Sequence, residues 1–226
     1  MVKIYVVRHC EAAGNKARVF QGSTDCEISE TGEIQLKYLW ERFKNIHIDK
    51  VYSSPLKRAY KTALAATHGK GLEVIKEPLL REICGGIIEG MSFEDIFKQH
   101  EDLELCWNNA PEDFAPPKGE SMREVYERVW KGVLKIANDP ENQGKTILIS
   151  SHGAAIRNLL CHALFDTIDR LNEVPWSNNT AVSLLVFDEK GVKVEFINDS
   201  SHVPDRYMPR RNRITSAIKP SEVTKQ

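Results

Sequence analysis

Four basic side chains of this sequence stand where short apolar runs give out: Arg8 and His9 in "KIYVVRHC", Arg58 in "KVYSSPLKRAYKTALAA" and His152 in "TILISSHGAAIRNLLCHAL". Each run is rich in β-branched residues, meets a turn of Ser, Gly or Pro, and leads into a helical pattern, the grammar of strand, turn and helix. In an open parallel sheet, ligands lie beyond the carboxyl ends of the strands, which would gather the four side chains around one site. Two guanidiniums and two imidazoles do not make a Ser-His-Asp hydrolase, which needs an acid and an exposed serine. They suit an anion. Arginine presents a planar fork of donors matched to phosphate oxygens, and helix N-termini near Pro55 and Gly153 would add backbone N–H groups. A histidine held among cations has its pKa lowered, leaving a lone pair at neutral pH to attack phosphorus, and this is the role expected of His9. Taken singly, a histidine or arginine at a strand end is more often a hydrogen-bonded structural residue or a salt-bridge partner than a catalyst. No metal is expected, because His9 and His152 lack the i, i+4 spacing of a helical ligand pair and no carboxylates repeat beside them. No cofactor is implied.

Strands alternating with helices predict an α/β fold: a single-domain, three-layer sandwich whose mainly parallel sheet carries helices on both faces. Ser53 or Ser54 reads as a helix N-cap with Pro55 at the first helical position. "SETGEIQLKYLWERF" has helical spacing with Ile34, Tyr38 and Leu39 on one side. "GESMREVYERVWKGVLKIA" opens on a capping box, Ser121 with Glu124, ahead of an amphipathic helix. "TAVSLLVFDEKGVKVEFIND" reads as two strands around a Lys-Gly turn. The stretch from 98 to 121, "KQHEDLELCWNNAPEDFAPPKGES", is rich in Asn, Pro and acids and reads as an irregular insertion. It is either a lid over the site, with Trp107 and Phe114 touching substrate, or a surface excursion packed on its own base. Residues 204–226 form a basic, Pro-punctuated tail expected to be solvated and partly disordered.

The 226 residues allow one domain with a sizeable core, here placed at 1–203. Lysine and arginine total 31 against 32 acidic residues, so overall charge gives no reason to invoke nucleic acid or an anionic membrane. No apolar run approaches the roughly 18 residues of a membrane span, and charge comes too early for a secretory signal. The five cysteines are scattered, with no Cys-x-x-Cys pair, as free thiols of a cytoplasmic protein would be.

Several segments together resemble the histidine phosphatase superfamily in its phosphoglycerate mutase-like branch. "VVRHCEAAGNKARVFQGSTDCEISETGEIQ" is similar to the family's N-terminal signature, "VYSSPLKRAYKTA" to its Ser-Ser-x-x-x-Arg-Ala segment, "LLREICGGIIEG" to its Leu-x-Glu…Gly…Glu-Gly segment and "ISSHGAAIR" to its second histidine motif. "NNTAVSLLVFD" and "INDSSHV" extend the match, which spans roughly residues 2 to 203. The resemblance implies a metal-independent route through a phosphohistidine at His9. Arg8, Arg58 and His152 would hold the phosphoryl oxygens, and Asn15 with the Gln21-Gly22 loop and Gly153 would line the pocket. It assigns Glu82 the part of proton donor and leaves Glu89 as a structural carboxylate. One position departs: where the family has glycine after its nucleophile, this chain has Cys10.

Phosphoglycerate mutases carry a longer Arg-Arg-rich insertion where this chain has only "LLREICGGIIEGMS", which favours the branch of broad-specificity and α-ribazole phosphatases. The expected function is hydrolysis of a phosphate monoester of a small metabolite. The alternatives are a phosphomutase requiring a bisphosphorylated primer, and a phosphate-binding pseudoenzyme or interaction module. The sequence chooses neither the ester nor an oligomeric state.

Overall fold

The structure is a computed structural model and describes residues 1–208 and 218–223. In chain order its elements are β1 (Val2–Arg8), α1 (Ala13–Ala17), α2 (Glu30–Phe43), β2 (Lys50–Ser53), α3 (Lys57–Ala66), β3 (Val74–Lys76), α4 (Phe93–Gln99), α5 (Glu101–Asn109), α6 (Met122–Ala137), β4 (Thr146–Ser151), α7 (Gly153–Phe165), β5 (Val182–Asp188), β6 (Gly191–Asp199) and α8 (Pro220–Val223). The six strands form one sheet in the order β3-β2-β4-β1-β5-β6. β3, β2, β4 and β1 run parallel to one another, and β5 runs antiparallel between β1 and β6.

The strand period of two divides the core. Val2, Ile4, Val6, Ile147 and Ile149 face one side with Val129 and Val133 of α6 and Ile156 and Leu160 of α7. Val7, Val51 and Leu148 face the other, against Leu36, Leu39 and Phe43 of α2 and Ala63 and Ala66 of α3. The three-layer sandwich is therefore present as the sequence indicates. Both the capping box of α6 and the β5-β6 hairpin form where their signals stand. On α2 the stripe is rotated from the expected one: Leu36, Leu39 and Phe43 are buried, whereas Ile34 and Tyr38 line an open groove between α2 and α3. Periodicity marks that a helix has an apolar side, and a helix with this much apolar surface leaves the choice of side to packing.

Two further expectations are corrected. The 98–121 segment is irregular only in its second half: its first half holds the whole of α5, with Glu101, Asp102 and Glu104 in a first turn where negative charge is favourable, and Leu103 buried beneath. The tail is not simply solvated in its described parts. The Tyr207 carbonyl accepts a hydrogen bond from Gln35, Ile218 bridges to Ile197 of β6, and Ile218 and Val223 are buried. The remainder of the tail, 209–217 and 224–226, lies outside the described residues. No helix among the described residues is long and apolar enough to cross a membrane.

Candidate active site

The register brings the three strand ends level, with Arg8 of β1 beside Ser151 of β4 and Ser53 of β2 beside Ser150. The turns leaving these strands, and the helices that follow, must therefore meet at one edge of the sheet. His9 is held there by its backbone: its N–H donates to the Ser151 carbonyl (2.9 Å) and its carbonyl accepts from the Asn179 side chain (3.0 Å). The imidazole is 3% exposed and its Nδ1 lies 2.6 Å from the Cys10 carbonyl oxygen. A carbonyl can only accept, so Nδ1 carries the proton and the lone pair is on Nε2. Burial, then the Arg58 and Arg8 guanidiniums, hold this histidine well below the ordinary imidazole value, against the opposing pull of the Cys10 carbonyl. His9 is thus neutral at neutral pH, with its lone pair on Nε2.

His152 leaves β4 as the N-cap of α7 and is fully buried, its ring centroid 5.1 Å from that of His9. Its Nε2 is hydrogen-bonded to the Ser54 hydroxyl at 2.7 Å. Burial lowers its pKa well below the usual range, followed by the charges of Arg58, the neighbouring His9, Arg8 and Arg128. Ser54 is therefore occupied at the site and does not cap α3. That helix begins at Lys57 with Leu56 as an N-cap that offers no side-chain bond, two residues later than the Ser-Pro signal suggests.

Arg58 is buried on α3, and the chain around 21–24 aims it: Nη1 donates to the Thr24 carbonyl (2.8 Å) and Nη2 to that of Gly22 (2.9 Å). Gly22 is required by close approach, since a Cβ there would lie 2.1 Å from the Ile83 carbonyl oxygen. Glu89 ties this loop together by accepting from the Ser23 and Gly85 N–H groups (2.7 and 2.8 Å) and the Thr24 hydroxyl (2.6 Å). Burial opposes its ionisation, but those donors outweigh burial and keep its pKa below the usual carboxylate value. Arg8 donates through Nη1 to the Ser177 carbonyl and lies over Gly153, whose added Cβ would sit 3.4 Å from Arg8 Nη2. Three nitrogens of this group, Arg8 Nε, Arg58 Nε and His152 Nδ1, are buried without a protein partner among the described residues. Buried polar atoms ordinarily find partners, so the cluster is arranged for an acceptor from outside the chain, an oxyanion.

Glu82 borders the same group. One carboxylate oxygen accepts from Ala154 N–H (3.1 Å) and the other from Ala155 N–H and Ile83 N–H (both 3.1 Å), which places it on the N-terminus of α7. Its charge reaches both Arg8 and Arg58.

The remaining sequence candidates divide. Gln21 and Gly22 act through their carbonyls on Arg58 (3.5 and 2.9 Å), and the Gln21 amide donates to Cys26 Sγ. Asn15 accepts from Ala12 N–H (3.0 Å), a bond that closes its own turn. Trp107 is half-buried and stacks on Trp176 with centroids 5.1 Å apart. Phe114 is 1% exposed, with Trp107 and Phe20 around it, so it belongs to the hydrophobic core; an aromatic amid Pro and acids gave no sign of that depth. Cys10 turns away from the site into the α2-α3 core, and burial pushes its thiol up to about 12. Its φ is not positive, so the backbone angle that would demand glycine is not in use. Sequence reasoning missed Ser54, Ser177 and Arg128. Ser54 was visible only as a capping residue, and nothing in the sequence marks a backbone carbonyl or one arginine of an amphipathic helix.

Comparison with known proteins agrees with this geometry. The sequence profile of the histidine phosphatase superfamily (branch 1) matches residues 4–200. Phosphoserine phosphatase 1 of Hydrogenobacter thermophilus is 32% identical over 217 residues, covering 95% of this chain and 100% of that one. A probable phosphoglycerate mutase of Cronobacter sakazakii is 35% identical over 156 residues, 69% of this chain and 72% of its own. Among solved structures, Bacillus stearothermophilus YhfR superposes with a TM-score of 0.84 at 28% identity, over 90% of this chain and 100% of that one. By sequence and by fold the chain belongs to branch 1 of the histidine phosphatase superfamily.

Proposed function

We propose that this phosphatase hydrolyses phosphate monoesters of small cytoplasmic metabolites by way of a phosphoryl group carried on His9 Nε2. The observation that carries the reading is the Cys10 carbonyl on His9 Nδ1, which leaves Nε2 as the free lone pair amid Arg8, Arg58 and His152. Nε2 attacks phosphorus as the bond to the ester oxygen breaks. The three cation-bearing or hydrogen-bonding side chains hold the equatorial oxygens where charge accumulates. Glu82 gives a proton to the departing oxygen, then takes one from the water that attacks the phosphohistidine, releasing inorganic phosphate and restoring neutral His9. Every step uses groups of the chain itself. Similarity to phosphoserine phosphatase 1 over nearly the whole chain supports hydrolysis over transfer to a second hydroxyl.

The test is phosphate release from a panel of monoesters in the presence of a chelator. Wild type retains turnover, and His9→Ala loses about 10⁴-fold or more, as removal of a nucleophile does. Glu82→Gln slows alkyl esters by about 10²-fold or more and p-nitrophenyl phosphate much less, because that leaving group departs without a proton. Full activity in His9→Ala would overturn the mechanism; turnover that appears only with a bisphosphorylated primer would replace hydrolysis by phosphoryl transfer between hydroxyls.

A further inference from the structure

Beside the phosphoryl site, and sharing Glu82 with it, lies a cavity of about 320 Å³ lined by Ser23, Arg81, Cys84, Lys118, Gly119 and Arg128 together with Glu120 and Glu124. The charges on its wall are not equally committed. Glu82 accepts from the α7 amides, and Glu120 is bound by Arg128 through Nε (2.5 Å) and Nη2 (2.7 Å). Glu124 accepts the N–H and hydroxyl of Ser121 at the start of α6. Arg128 uses its other donors on the carbonyls of Leu79, Arg81 and Glu82. That leaves Arg81 and Lys118. Both are exposed; Arg81 bonds only the Pro78 carbonyl through Nε, and neither makes an ion pair among the described residues.

Lys118 is also held where a lysine is not at ease. Its φ is 58°, in the left-handed region, which a side chain rarely adopts. The segment carrying it lies backbone to backbone on the Glu82 loop: Ile87 N–H donates to the Pro117 carbonyl (3.1 Å), Glu120 N–H to the Cys84 carbonyl (2.8 Å), and a Cβ on Gly86 would lie 2.2 Å from the Pro117 oxygen. The surroundings thus fix a strained residue beside the reacting centre, and strain of this kind concentrates at ligand clamps.

We propose that Arg81 and Lys118 form a second anion subsite, which takes a carboxylate placed a few bonds from the ester oxygen of the substrate. The proposal rests on the phosphatase reading and adds the substrate class: short phosphorylated acids, since the cavity is at the small end for a ligand site and no aromatic ring lines it for a base or a flat ring. It also moves selectivity away from the buried Phe114, onto residues unlike the Arg-Arg insertion that phosphoglycerate mutases carry.

The experiment compares kcat/KM within two matched pairs, O-phosphoserine against O-phosphoethanolamine and 3-phosphoglycerate against glycerol 3-phosphate, each pair differing by a carboxylate. Wild type should favour the acid in both pairs by about tenfold or more. Lys118→Gly removes the ammonium while suiting the left-handed backbone, and Arg81→Gln removes the other charge; each should cut the preference about fivefold, mainly through KM. Equal kcat/KM within the pairs, or a preference that survives both substitutions, overturns the subsite while leaving the phosphatase reading intact. Absence of phosphate release from every ester, p-nitrophenyl phosphate included, overturns both.

Discussion

One hydrogen bond, from His9 Nδ1 to the carbonyl of the next residue, sets both the tautomer and the direction of Nε2, the nitrogen proposed to attack phosphorus. Its acceptor is the backbone of Cys10, so the side chain at position 10 is free to serve the core. It does: the thiol packs beside Gly32, whose added Cβ would meet Sγ at 3.3 Å, and Cys10 N–H donates to Thr62 (3.0 Å). Cys10→Gly is accordingly expected to keep turnover within about threefold while lowering stability by about 1 kcal/mol, through the cavity left by the sulfur and the added freedom of the unfolded chain. Steady-state kinetics and urea denaturation on the same preparation check this. A collapse of activity with stability unchanged would mean that the side chain, not the carbonyl, governs His9. The same burial makes Cys10 an inert thiol, with a pKa near 12.

Among the elements, α6 acts as a clasp on the loop that carries Glu82. Arg128 spans that loop with hydrogen bonds to Leu79, Arg81 and Glu82, and Glu120, which it grips, also accepts from Cys84 N–H (3.4 Å). Arg128 bonds the backbone of that loop and Glu120, and under the proposed mechanism it positions Glu82 as proton donor. Lysine could keep the charge but not the fork. Arg128→Lys should therefore slow alkyl esters about tenfold more than p-nitrophenyl phosphate, the signature of a misplaced proton donor. Equal slowing of both would reduce Arg128 to a structural tie. The α4-α5 excursion reaches the site in a comparable indirect way: Trp107 stacks on Trp176, and the next residue, Ser177, holds Arg8.

At the scale of the whole molecule, two buried imidazoles and a half-buried one link stability to pH. His9 and His152 sit well below 6.5, and burial with Arg42 brings His202 to about 4. Between those values and 6.5 the unfolded chain binds protons that the folded one refuses, so the slope of unfolding free energy with pH is positive. Stability must fall as the pH drops below about 6.5, by at most ~1.4 kcal/mol per pH unit for each histidine. The carboxylates held below their usual values, such as Glu89 and Asp199, enter only at lower pH, because their ordinary values are 4.5 and 3.8. Urea midpoints at pH 7 and pH 5 test this, and a flat profile refutes it.

The sequence by itself determined the strand-turn-helix units and their assembly into a mainly parallel sheet, and it pointed to Arg8, His9, Arg58 and His152 as one group, with Glu82 added only by the resemblance of its segment to the family's. These were legible because apolar periodicity, turn residues and the positions of charged groups at strand ends are local signals, and the sheet brings strand ends together by rule. Tertiary structure alone decided which side of α2 faces inward, that Phe114 is core, that Ser54 serves His152 instead of capping α3, and that Arg128 steadies the Glu82 loop. Each of these depends on a partner distant in sequence: Ser54 meets its histidine 98 residues later, and Arg128 reaches back 46 residues to the Glu82 carbonyl. The energy of a hydroxyl, a ring or a guanidinium in such a place is set by burial and by the geometry of that distant group, and no local pattern encodes either.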